Sequence, residues 1–577
     1  MKDIFFLILL NVSTLSVVSS QTLTATLRGD GTLKVSSHGE PLNRPLSISN
    51  THNLLPGFPL LFPADPAFKN FRNVTLDDLD NDGSDEVIIG IADQLIVLTA
   101  DSILWSSLVL GLARFPAAVA DLDADGIKEI ILLTGFDQDP GQIYVFMADG
   151  RLKEGWPVSN DGNWMISSPA LADVDGDGDL EIICSDLQGT QGSIYLYHHN
   201  GDLVEGNWPV LLPDRPAVTP SAGDLDGDGN IEIVVCTTRD IYALDQNGNL
   251  LQGWPYSQNG TRYSFQSPIL VDIDHDGDLE IAGASHGENP VFYLLDHSGQ
   301  STLGWPIPVP GGSWTFHTPS IARIDDSPVV ITARPIGQTP ADMLYAWKPD
   351  GSRQPGFPVV QPGGHEGITT IADVDGDGFS ELLYSSNLLL DGGIGQIHGA
   401  ELDGSGSPDG FPIQVRGWTF LNGATLGDIN GNGMLDLVIL SYTEYPGATP
   451  DTAFIYAFDL GVPHTPKEYG WPTYKQNNLR NGLVSFDETT SSIRNPHFND
   501  VVVYPNPNHG ILHIENRSEK PSVKYKILDS LGRVLYSGIV SKSSSYHFSN
   551  ETEGMYFLEF SDPLQGIFQV DRIIYRR

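Results

Sequence analysis

The chain has 577 residues, which is too long for one ordinary domain and enough for three or four. Its 31 lysines and arginines stand against 73 aspartates and glutamates, and the formal net charge of −42 disfavours unassisted binding to nucleic acids or anionic membranes. Two cysteines exclude a disulfide scaffold and a cysteine-based zinc or iron–sulfur site, whereas 40% hydrophobic residues argue against disorder. So much acid in a folded protein needs a partner charge, and a metal cation is the expected one.

The start of the chain predicts an export signal. Lys2 begins it, Ile4 to Leu10 form a short apolar run, and Val18-Ser19-Ser20 form a small-residue cleavage site. The apolar run is shorter than a membrane-spanning segment, and no other stretch is long and apolar enough to span a bilayer. We therefore expect a signal peptide over residues 1–20, a polar leader over residues 21–53, and a mature protein that is released or attached to the outer-membrane surface.

A nine-residue acidic motif repeats along the central part of the chain. It reads DVDGDGDLE at Asp173, recurs every 43 to 55 residues, and has a worn copy, RIDDSPV, at Arg323. The legible copies begin at Asp78, Asp121, Asp173, Asp224, Asp272, Asp373 and Asp428. Each copy is followed by a β-rich run such as EIICS, by an alternating strand that ends in a turn, and by a Gly-Trp-Pro or Gly-Phe-Pro tripeptide in most units.

Eight such units without helical periodicity predict an all-β fold, in which each unit is one blade of a β-propeller over residues 54–482. Eight blades are favoured, and seven are the alternative if a terminal unit is incomplete. Residues 483–498 are expected to be a Ser/Thr-rich linker, and residues 499–577 a separate small β domain.

Two parts of the chain resemble known families. The acidic loops with their flanking strands resemble the FG-GAP or VCBS repeats of integrin α-subunit propellers and of many bacterial exported proteins. The tail resembles the C-terminal sorting domain of the Bacteroidetes type IX secretion system, because it contains VYPNPNHG (residues 503–510), ILDSLGRVLYSG (527–538), EGMYFLEF (553–560) and the basic end RIIYRR. This resemblance implies a β-sandwich that the type IX secretion machinery recognises and usually cleaves, although the last basic residues are arginines here and lysines more often in the family.

Each acidic loop has the composition of a calcium site. In the loop at Asp173, carboxylates stand at positions 1, 3, 5 and 9, a backbone carbonyl is available at position 7, and Gly178 at position 6 allows a sharp turn. Hard oxygen ligands in a flexible loop suit calcium better than magnesium. An EF-hand would place its last acid at position 12 and flank the loop with helices, so that class of site is excluded.

The sequence predicts about six or seven calcium ions, on the basis of this ligand pattern. The candidate ligands are Asp78, Asp80, Asp82, Ser84 and Glu86; Asp121, Asp123, Asp125, Ile127 and Glu129; Asp173, Asp175, Asp177, Asp179 and Glu181; Asp224, Asp226, Asp228, Asn230 and Glu232; Asp272, Asp274, Asp276, Asp278 and Glu280; Asp373, Asp375, Asp377, Phe379 and Glu381; and Asp428, Asn430, Asn432, Met434 and Asp436. The alternative is that the loops are metal-free Asp-Gly turns, for which the weakly charged last loop makes the strongest case. For bound calcium, a role limited to joining the blades, without regulation, is favoured because the loops repeat once per blade.

Aromatic and basic residues recur about nine positions before the acidic loops. In a propeller these segments enter the inner strands at the face opposite the loops, where sugars could stack on aromatic rings and acidic glycans could pair with cations. The candidate ligand-binding residues are Trp164, Arg215, Tyr263, Trp314 and Trp418. Ordinary packing between blades is the alternative interpretation.

The sequence therefore favours a secreted binding or adhesion module for a glycan or protein ligand, without enzymatic activity. A calcium-dependent polysaccharide lyase is the alternative, because some calcium-bearing eight-bladed lyases resemble these repeats. His317, His365 and Arg416 could supply a base and a cation for such chemistry, but no spacing ties them together.

Overall fold

The chain divides into two compact units, residues 1–485 and residues 486–577. The computed structural model describes residues 22–27, 33–38, 50–65, 69–72, 74–135, 141–160, 164–165, 167–312, 317–324, 327–334, 341–361, 363–404, 406–419, 421–443, 451–464, 470–484, 501–504, 511–516, 523–529, 533–547, 554–562 and 566–575. The predicted signal peptide, Trp314 and residues 485–498 of the predicted linker lie outside these ranges. Within the predicted leader, Thr22–Leu27 and Leu33–His38 pair as an antiparallel hairpin.

The first unit is a ring of eight β-sheets, so the prediction of eight blades is confirmed and the alternative of seven is wrong. Blades 1 to 8 follow in chain order, and in each blade an inner, a second, a third and an outer strand pair antiparallel. The inner strands are Thr75–Asp77, Ala118–Ala120, Ala170–Ala172, Ser221–Gly223, Ile269–Val271, Ser320–Ile324, Thr370–Ala372 and Thr425–Gly427. The second strands are Glu86–Ile91, Glu129–Thr134, Glu181–Ser185, Glu232–Cys236, Glu280–Ala284, Ser327–Ala333, Glu381–Ser385 and Met434–Tyr442.

The third and outer strands complete each blade. The third strands are Gln94–Leu98, Gly141–Met147, Gly192–Tyr197, Asp240–Leu244, Val291–Leu295, Ala341–Trp347, Ile394–Glu401 and Thr452–Pro463. The outer strands of blades 1 to 7 are Ile103–Leu108, Val158–Asn160, Val210–Leu212, Tyr256–Ser257, Ile307–Pro308, Val359–Gln361 and Ile413–Arg416. Outside the blades, Thr261–Arg262 pairs with His286–Gly287, and Pro310–Gly312 forms one 3-10 turn. The part of the chain that the structure describes contains no α-helix, as the all-β prediction requires.

The beginning of the unit closes the ring by completing blade 8. Leu60–Pro63 and Asn53–Leu54 both pair antiparallel with Thr452–Pro463. The N–H of Asp85 in blade 1 donates to the carbonyl oxygen of Asp428 in blade 8 at 2.8 Å, and the N–H of Asp428 donates to Oδ2 of Asp85 at 2.9 Å. The first and last blades are therefore hydrogen-bonded neighbours.

The strand register defines two faces of the ring. In blade 3, Ala172 at the end of the inner strand pairs with Glu181 at the start of the second strand, so the acidic loop between them lies at one face, which we call the loop face. The turn after the third strand lies at the same face, because Ile182 pairs with Tyr197. The connections from second to third strands and from outer to inner strands lie at the opposite face, which we call the mouth face.

The hydrophobic core lies between neighbouring blades. The second strand of blade 3, Glu181–Ser185, and the third, Gly192–Tyr197, are buried at every position. A blade is covered on both sides by its neighbours, so its central strands are apolar along their length rather than alternating. One cluster, for example, joins Ile183 of blade 3, Val234 of blade 4 and Ile281 of blade 5.

Three Gly-Trp-Pro tripeptides each bind their blade to the next one. Trp305 donates from its indole Nε1 to the carbonyl oxygen of Pro349 in the following blade at 2.9 Å, and the tryptophans of two other tripeptides repeat this contact. The preceding residue, Gly304, has φ of +90°, and a Cβ there would lie 2.0 Å from the carbonyl oxygen of Asp350. Glycine is needed here because both the backbone angle and the close approach exclude a side chain.

Residues 470–484, which we call the channel segment, occupy the axis of the ring. The N–H of the middle residue of six inner strands donates to a carbonyl oxygen of this segment. These bonds join Val119 to Asn478, Leu171 to Leu479, Ala222 to Asn481, Leu270 to Gly482, Ile371 to Trp471 and Leu426 to Pro472, at 2.8–3.1 Å. In blade 1, Asn478 donates from Nδ2 to the carbonyl oxygen of Leu76 at 2.7 Å. The segment therefore pairs the inner strand edges, which would otherwise present free backbone groups to the axis.

The channel segment begins with a Gly-Trp-Pro tripeptide and ends in a strand. Trp471 has the sequence context of the tripeptides, but it is buried in the channel rather than wedged between two blades. Leu483–Val484 runs parallel to Ile269–Val271 of blade 5. The last described residue of the unit thus lies at the loop-face end of an inner strand.

The second unit contains a three-stranded and a four-stranded antiparallel sheet. The strand order is Val501–Tyr504, Ile511–Asn516 and Ser543–His547 in the first sheet, and Val534–Val540, Val523–Asp529, Gly554–Asp562 and Gly566–Tyr575 in the second. Leu512 from the first sheet and Ile527 and Leu558 from the second share one buried cluster. This shared cluster is consistent with the predicted β-sandwich.

Candidate functional site

The acidic loops are held by their own backbone N–H groups. In the loop of blade 4, Asp224 accepts from the N–H of Asp228 at 3.0 Å and from that of Gly229 at 2.9 Å. The carboxylate of Glu232 accepts from the N–H of Leu225 at 2.8 Å. The loop is therefore folded back so that its first and last carboxylates face the same point.

The same geometry recurs in all seven acidic loops. The position-six glycines have φ between +77° and +101°, a region open to glycine without steric cost. The N–H at position 2 donates to one oxygen of the carboxylate at position 9 at 2.8–3.1 Å, from Leu79 to Glu86, Leu122 to Glu129, Val174 to Glu181, Leu225 to Glu232, Ile273 to Glu280, Val374 to Glu381 and Ile429 to Asp436. One oxygen of each position-nine carboxylate is thus used by the backbone, and the other is left for a further ligand.

Several of these acidic clusters could hold a metal ion. Ligand atoms at positions 1, 3 and 9 lie within 4.8 Å of one another in blades 1, 2 and 4, and the first three aspartates do so in blade 3. Asp123 Oδ1, Asp272 Oδ1, Glu381 Oε1 and Asp436 Oδ1 are buried and have no hydrogen-bond partner among the described residues. Buried carboxylate oxygens without a donor are costly unless a cation approaches them, and an all-oxygen set suits a hard cation.

The position-nine carboxylates also have raised pKa values. Burial is the largest cause, and the charges of neighbouring carboxylates add to it. The pKa is raised to about 7 in Glu86, Glu181, Glu232 and Asp436, and to about 8 in Glu280 and Glu381. The loops therefore disfavour their own full ionisation, and a bound cation would remove that penalty.

Three loops contain a nitrogen group from the turn after the third strand; in blade 5, Nδ1 of His297 lies 2.9 Å from Asp278 Oδ2. In blade 2, Nζ of Lys153 donates to Asp123 Oδ2 and to Glu129 Oε1, both at 2.7 Å. Burial raises the pKa of Asp123, but the hydrogen bond and charge of Lys153 outweigh it and leave the pKa lowered. In blade 3, Nδ1 of His198 lies 3.3 Å from Glu181 Oε1.

Blades 6 and 8 depart from the full acidic motif in different ways. In blade 6, Ile324 pairs directly with Ser327, so only two residues separate the paired strands at the worn copy. In blade 8, Asn430 takes an acidic position and donates from Nδ2 to Asp436 Oδ2 at 3.1 Å. The loop of blade 8 keeps its backbone geometry with fewer charges.

The residues predicted to bind a ligand fall into three groups. Tyr263 is fully buried and Trp164 is 8% exposed, which corrects the expectation that their rings face a ligand, because both fill space within and between blades. Arg215 and Trp418 are partly exposed at the mouth face. Trp314 lies outside the described residues.

A second set of aromatic residues reaches the mouth face and was not predicted. Phe71 and Phe115 are partly exposed, and their rings stack with centroids 5.6 Å apart and planes 12° apart. The guanidinium of Arg114 lies 5.1 Å from the ring centroid of Phe71. These residues stand two or three positions after the predicted column, and the adjacent pairs Phe71-Arg72 and Arg114-Phe115 were the available signal.

Strained backbone accompanies this set. Phe265 is partly exposed at the mouth face and has φ of +75°, and Arg72 has φ of +63°. Arg72 donates from Nη2 to the carbonyl oxygen of Phe265 at 2.8 Å. Positive φ is rare in bulky residues and tends to be kept at functional sites.

The residues considered for lyase chemistry are not arranged as a site. His317 and His365 are fully buried, and Nε2 of each lies near Oγ1 of Thr369, at 2.9 and 3.2 Å. Burial lowers the pKa of His365 to about 3 and lowers that of His317 well below its usual range. Arg416 is exposed at the end of an outer strand. Neither imidazole is therefore placed to meet a polysaccharide.

Family models match part of each unit. Residues 121–184 and 224–283 match the FG-GAP-like repeat, and residues 502–574 match the secretion system C-terminal sorting domain. The chain thus carries FG-GAP-like repeats in an eight-bladed propeller and a type IX secretion C-terminal sorting domain. None of the curated proteins matches its sequence.

Several solved structures are similar to this chain at low sequence identity. The V. cholerae biofilm matrix protein Bap1 is 14% identical with a TM-score of 0.49, covering 74% of this chain and 94% of that one. The rhamnogalacturonan lyase YesW is 14% identical with a TM-score of 0.43, covering 80% and 85%. The quinohemoprotein alcohol dehydrogenase from Comamonas testosteroni is 12% identical with a TM-score of 0.43, covering 71% and 78%. Likeness at this level carries no information about what the present chain binds.

The sorting domain indicates where the protein is located. It indicates a secreted protein that is attached to the cell surface or extracellular, and it implies the secretion machinery as a partner. In the described ranges, no helix has both the length and the apolar character to cross a membrane.

Proposed function

We propose that the protein is a calcium-stabilised binding module of the cell surface, which takes an acidic glycan at the mouth face of its propeller. The observation that carries the proposal is the presence of partly exposed aromatic rings and of the partly exposed Arg215 at the mouth face, on a protein whose formal net charge is −42. Calcium has a structural role in this proposal, and ligand recognition is assigned to the opposite face.

The calcium part of the proposal rests on the backbone-held carboxylates of the loop face. The loops of blades 1, 3, 4, 5, 7 and 8 would each bind one ion, with the position-nine carboxylate and the aspartates as ligands. Neighbouring loops are also hydrogen-bonded: the N–H of Leu180 donates to the carbonyl oxygen of Leu122, and that of Leu279 to Leu225, both at 2.9 Å. An ion in one loop would therefore stiffen the contact between two blades, which supports a stapling role.

The ligand part rests on the chemistry of the mouth face. Phe71, Phe115 and Trp418 offer ring faces on which a pyranose can stack. Arg215 is partly exposed in the mouth-face segment that leads into blade 4, and it could form a bidentate pair with a sugar carboxylate. The channel segment closes the axis beneath, so the ligand would lie on the mouth rather than pass through the ring.

Calcium is tested by metal analysis of the full chain. The purified protein should bind several calcium ions, its melting temperature should fall in excess chelator, and added calcium should restore it. Fewer than one calcium per chain at saturation would contradict this part of the proposal.

Ligand binding is tested with polygalacturonate as an acidic probe and dextran as a neutral one. The variant Phe115→Ala/Trp418→Ala should lose at least about tenfold in affinity for polygalacturonate, since stacking of this kind is worth about 1 kcal/mol per ring. The matched control is Phe379→Ala, which removes a ring that is 59% exposed on the loop face. Calcium content and melting temperature should stay near those of the wild type in the double variant. Equal loss in the control, or no binding of either probe by the wild type, would contradict the proposal.

A further inference from the structure

The acidic loop of blade 2 already contains a cation from the protein itself. Lys153 reaches into it from the turn after the third strand, and its Nζ lies 2.7 Å from Asp123 Oδ2 and 2.7 Å from Glu129 Oε1. The side chain of Lys153 is only 13% exposed and that of Glu129 is not exposed at all. The ammonium is therefore an enclosed group between loop positions 3 and 9, not a surface ion pair that solvent competes for.

The two carboxylates that Lys153 contacts belong to the cluster that would bind a metal in this loop. Asp121, Asp123 and Glu129 place their ligand atoms within 4.8 Å of one another. A calcium ion would lie about 2.3–2.6 Å from its carboxylate oxygens. An ammonium hydrogen-bonded to two of those carboxylates would then lie close to the ion, and two cations that share the same carboxylates repel each other.

Lysine at this position distinguishes blade 2 from its neighbours. The equivalent residues are identified by a shared hydrogen bond, from their own N–H to the carbonyl oxygen of the third strand, at 2.9–3.0 Å in every case. The bonds join Lys153 to Val145, Val204 to Leu196, Leu251 to Ala243, Thr302 to Leu294 and Gln354 to Ala346. Among these five described positions only the one in blade 2 carries a positive charge.

We infer that the ammonium of Lys153 takes the place of calcium in the loop of blade 2, so that this loop is closed without a metal while its neighbours bind one. The inference rests on the proposed calcium binding by the other loops. On this inference, the loop of blade 2 is held by an ion pair within the protein, whereas the other acidic loops bind calcium. The inference also predicts that replacing Lys153 alone converts the loop of blade 2 into a metal site.

The test is the number of calcium ions bound per chain, measured by equilibrium dialysis of the full chain with radioactive calcium. Lys153→Leu copies Leu251, the equivalent residue of blade 4, and should bind one calcium more than the wild type. In the wild-type background, Asp125→Asn should leave the count unchanged, whereas the matched substitution in blade 4, Asp228→Asn, should lower it by one. Adding Asp125→Asn to Lys153→Leu should return the count to the wild-type value.

The outcomes separate this inference from the calcium proposal. If Asp125→Asn alone lowers the count by one, or if a folded Lys153→Leu variant binds no additional ion, blade 2 holds calcium beside Lys153 and the inference is wrong, although the other loops still bind calcium. If Lys153→Leu does not fold, the comparison of Asp125→Asn with Asp228→Asn decides the question with the lysine in place. A wild-type count below one overturns the calcium proposal, and this inference with it.

Discussion

Arg480 and Thr75 are 405 positions apart in the chain and are joined by a 2.9 Å hydrogen bond from guanidinium Nη2 to hydroxyl Oγ1. The same guanidinium donates from Nη1 to the carbonyl oxygens of Tyr474 at 2.6 Å and of Asn477 at 3.2 Å, and the side chain is fully buried. One residue thus fixes the fold of the channel segment and its contact with the inner strand of blade 1.

Replacing Arg480 should destabilise the propeller strongly. Arg480→Leu leaves several buried oxygen atoms without a donor, so we expect the free energy of unfolding to fall by about 3 kcal/mol in denaturant titration. The control is Arg151→Leu, whose side chain is 76% exposed in the wild type and whose loss should cost less than about 0.5 kcal/mol. Similar losses in both variants would show that the buried network contributes little.

The glycines of the Gly-Trp-Pro tripeptides should not tolerate alanine. Gly304→Ala forces a side chain onto φ of +90° and places its Cβ 2.0 Å from the carbonyl oxygen of Asp350 in the next blade. We expect a loss of about 2 kcal/mol or more, because the positive φ alone costs about 1–2 kcal/mol. Gly406→Ala is the matched control, since no atom lies within 4 Å of a Cβ there. Equal melting temperatures for the two variants would argue that the turn is adaptable.

Calcium should stabilise the propeller by mass action, site by site. A site at a calcium concentration of 100 times its Kd adds about 2.7 kcal/mol to the free energy of unfolding. Glu232→Gln removes the position-nine charge of blade 4 and should make the melting temperature rise less steeply with calcium concentration. The exposed Glu288 of the mouth face gives the control Glu288→Gln, which should follow the wild-type curve. Parallel curves for all three proteins would argue against a ligand role for Glu232.

A buried imidazole gives the stability a predictable pH dependence. Burial lowers the pKa of His398 to about 4, and its ring stacks on Tyr384 with centroids 5.5 Å apart. The unfolded chain takes up a proton below pH 6.5 or so while the folded one does not, so this group costs about 1.4 kcal/mol of stability for each pH unit between about 6.5 and 4. His398→Phe keeps a stacked ring without titrating. The stability of the wild type relative to this variant should therefore fall on acidification through that window and stay constant above pH 7, as denaturant titrations at several pH values would show.

The sorting domain should be required for export to the surface. Deletion of residues 499–577 removes the region that matches the sorting domain, so the truncated chain should accumulate in the periplasm. Cell fractionation with an antibody against the propeller measures this, and the periplasmic propeller should still bind calcium, which separates failed export from failed folding. Normal appearance of the truncated chain in the medium would contradict the prediction.

Local chemistry explains why much of the fold was predictable from sequence. The acidic motif combines a glycine at position 6 with carboxylates that accept hydrogen bonds from backbone N–H groups only a few residues away. Residues such as Gly178 and Glu181 therefore predict the loop conformation from the local sequence alone. Because each unit repeats these short-range contacts, the period gave the number of blades. The loop candidates could be identified for the same reason.

Contacts between distant residues explain what was missed. Nothing in the context of Trp471 separates it from the tripeptide tryptophans, because its partner Ile371 is far away in the chain. Counting acids within one loop likewise overlooks Lys153, which lies 24 positions after Glu129 and comes from another turn. Tyr263 and Phe265 are two positions apart, and only the packing of neighbouring blades decides that the first is buried and the second reaches the surface.

The channel segment also bears on how the propeller gains and loses its structure. In an open array of repeats each unit is stabilised mainly by its two neighbours, so the ends can fray independently. Here residues 470–484 hydrogen-bond to the inner strands of seven blades. Residues 53–63, from the beginning of the unit, complete blade 8. A blade on one side of the ring therefore cannot open without disturbing the channel segment, which also hydrogen-bonds to blades on the opposite side. The ring should accordingly behave as one cooperative unit, and no early group of blades can reach its final stability before the chain has been made as far as Val484.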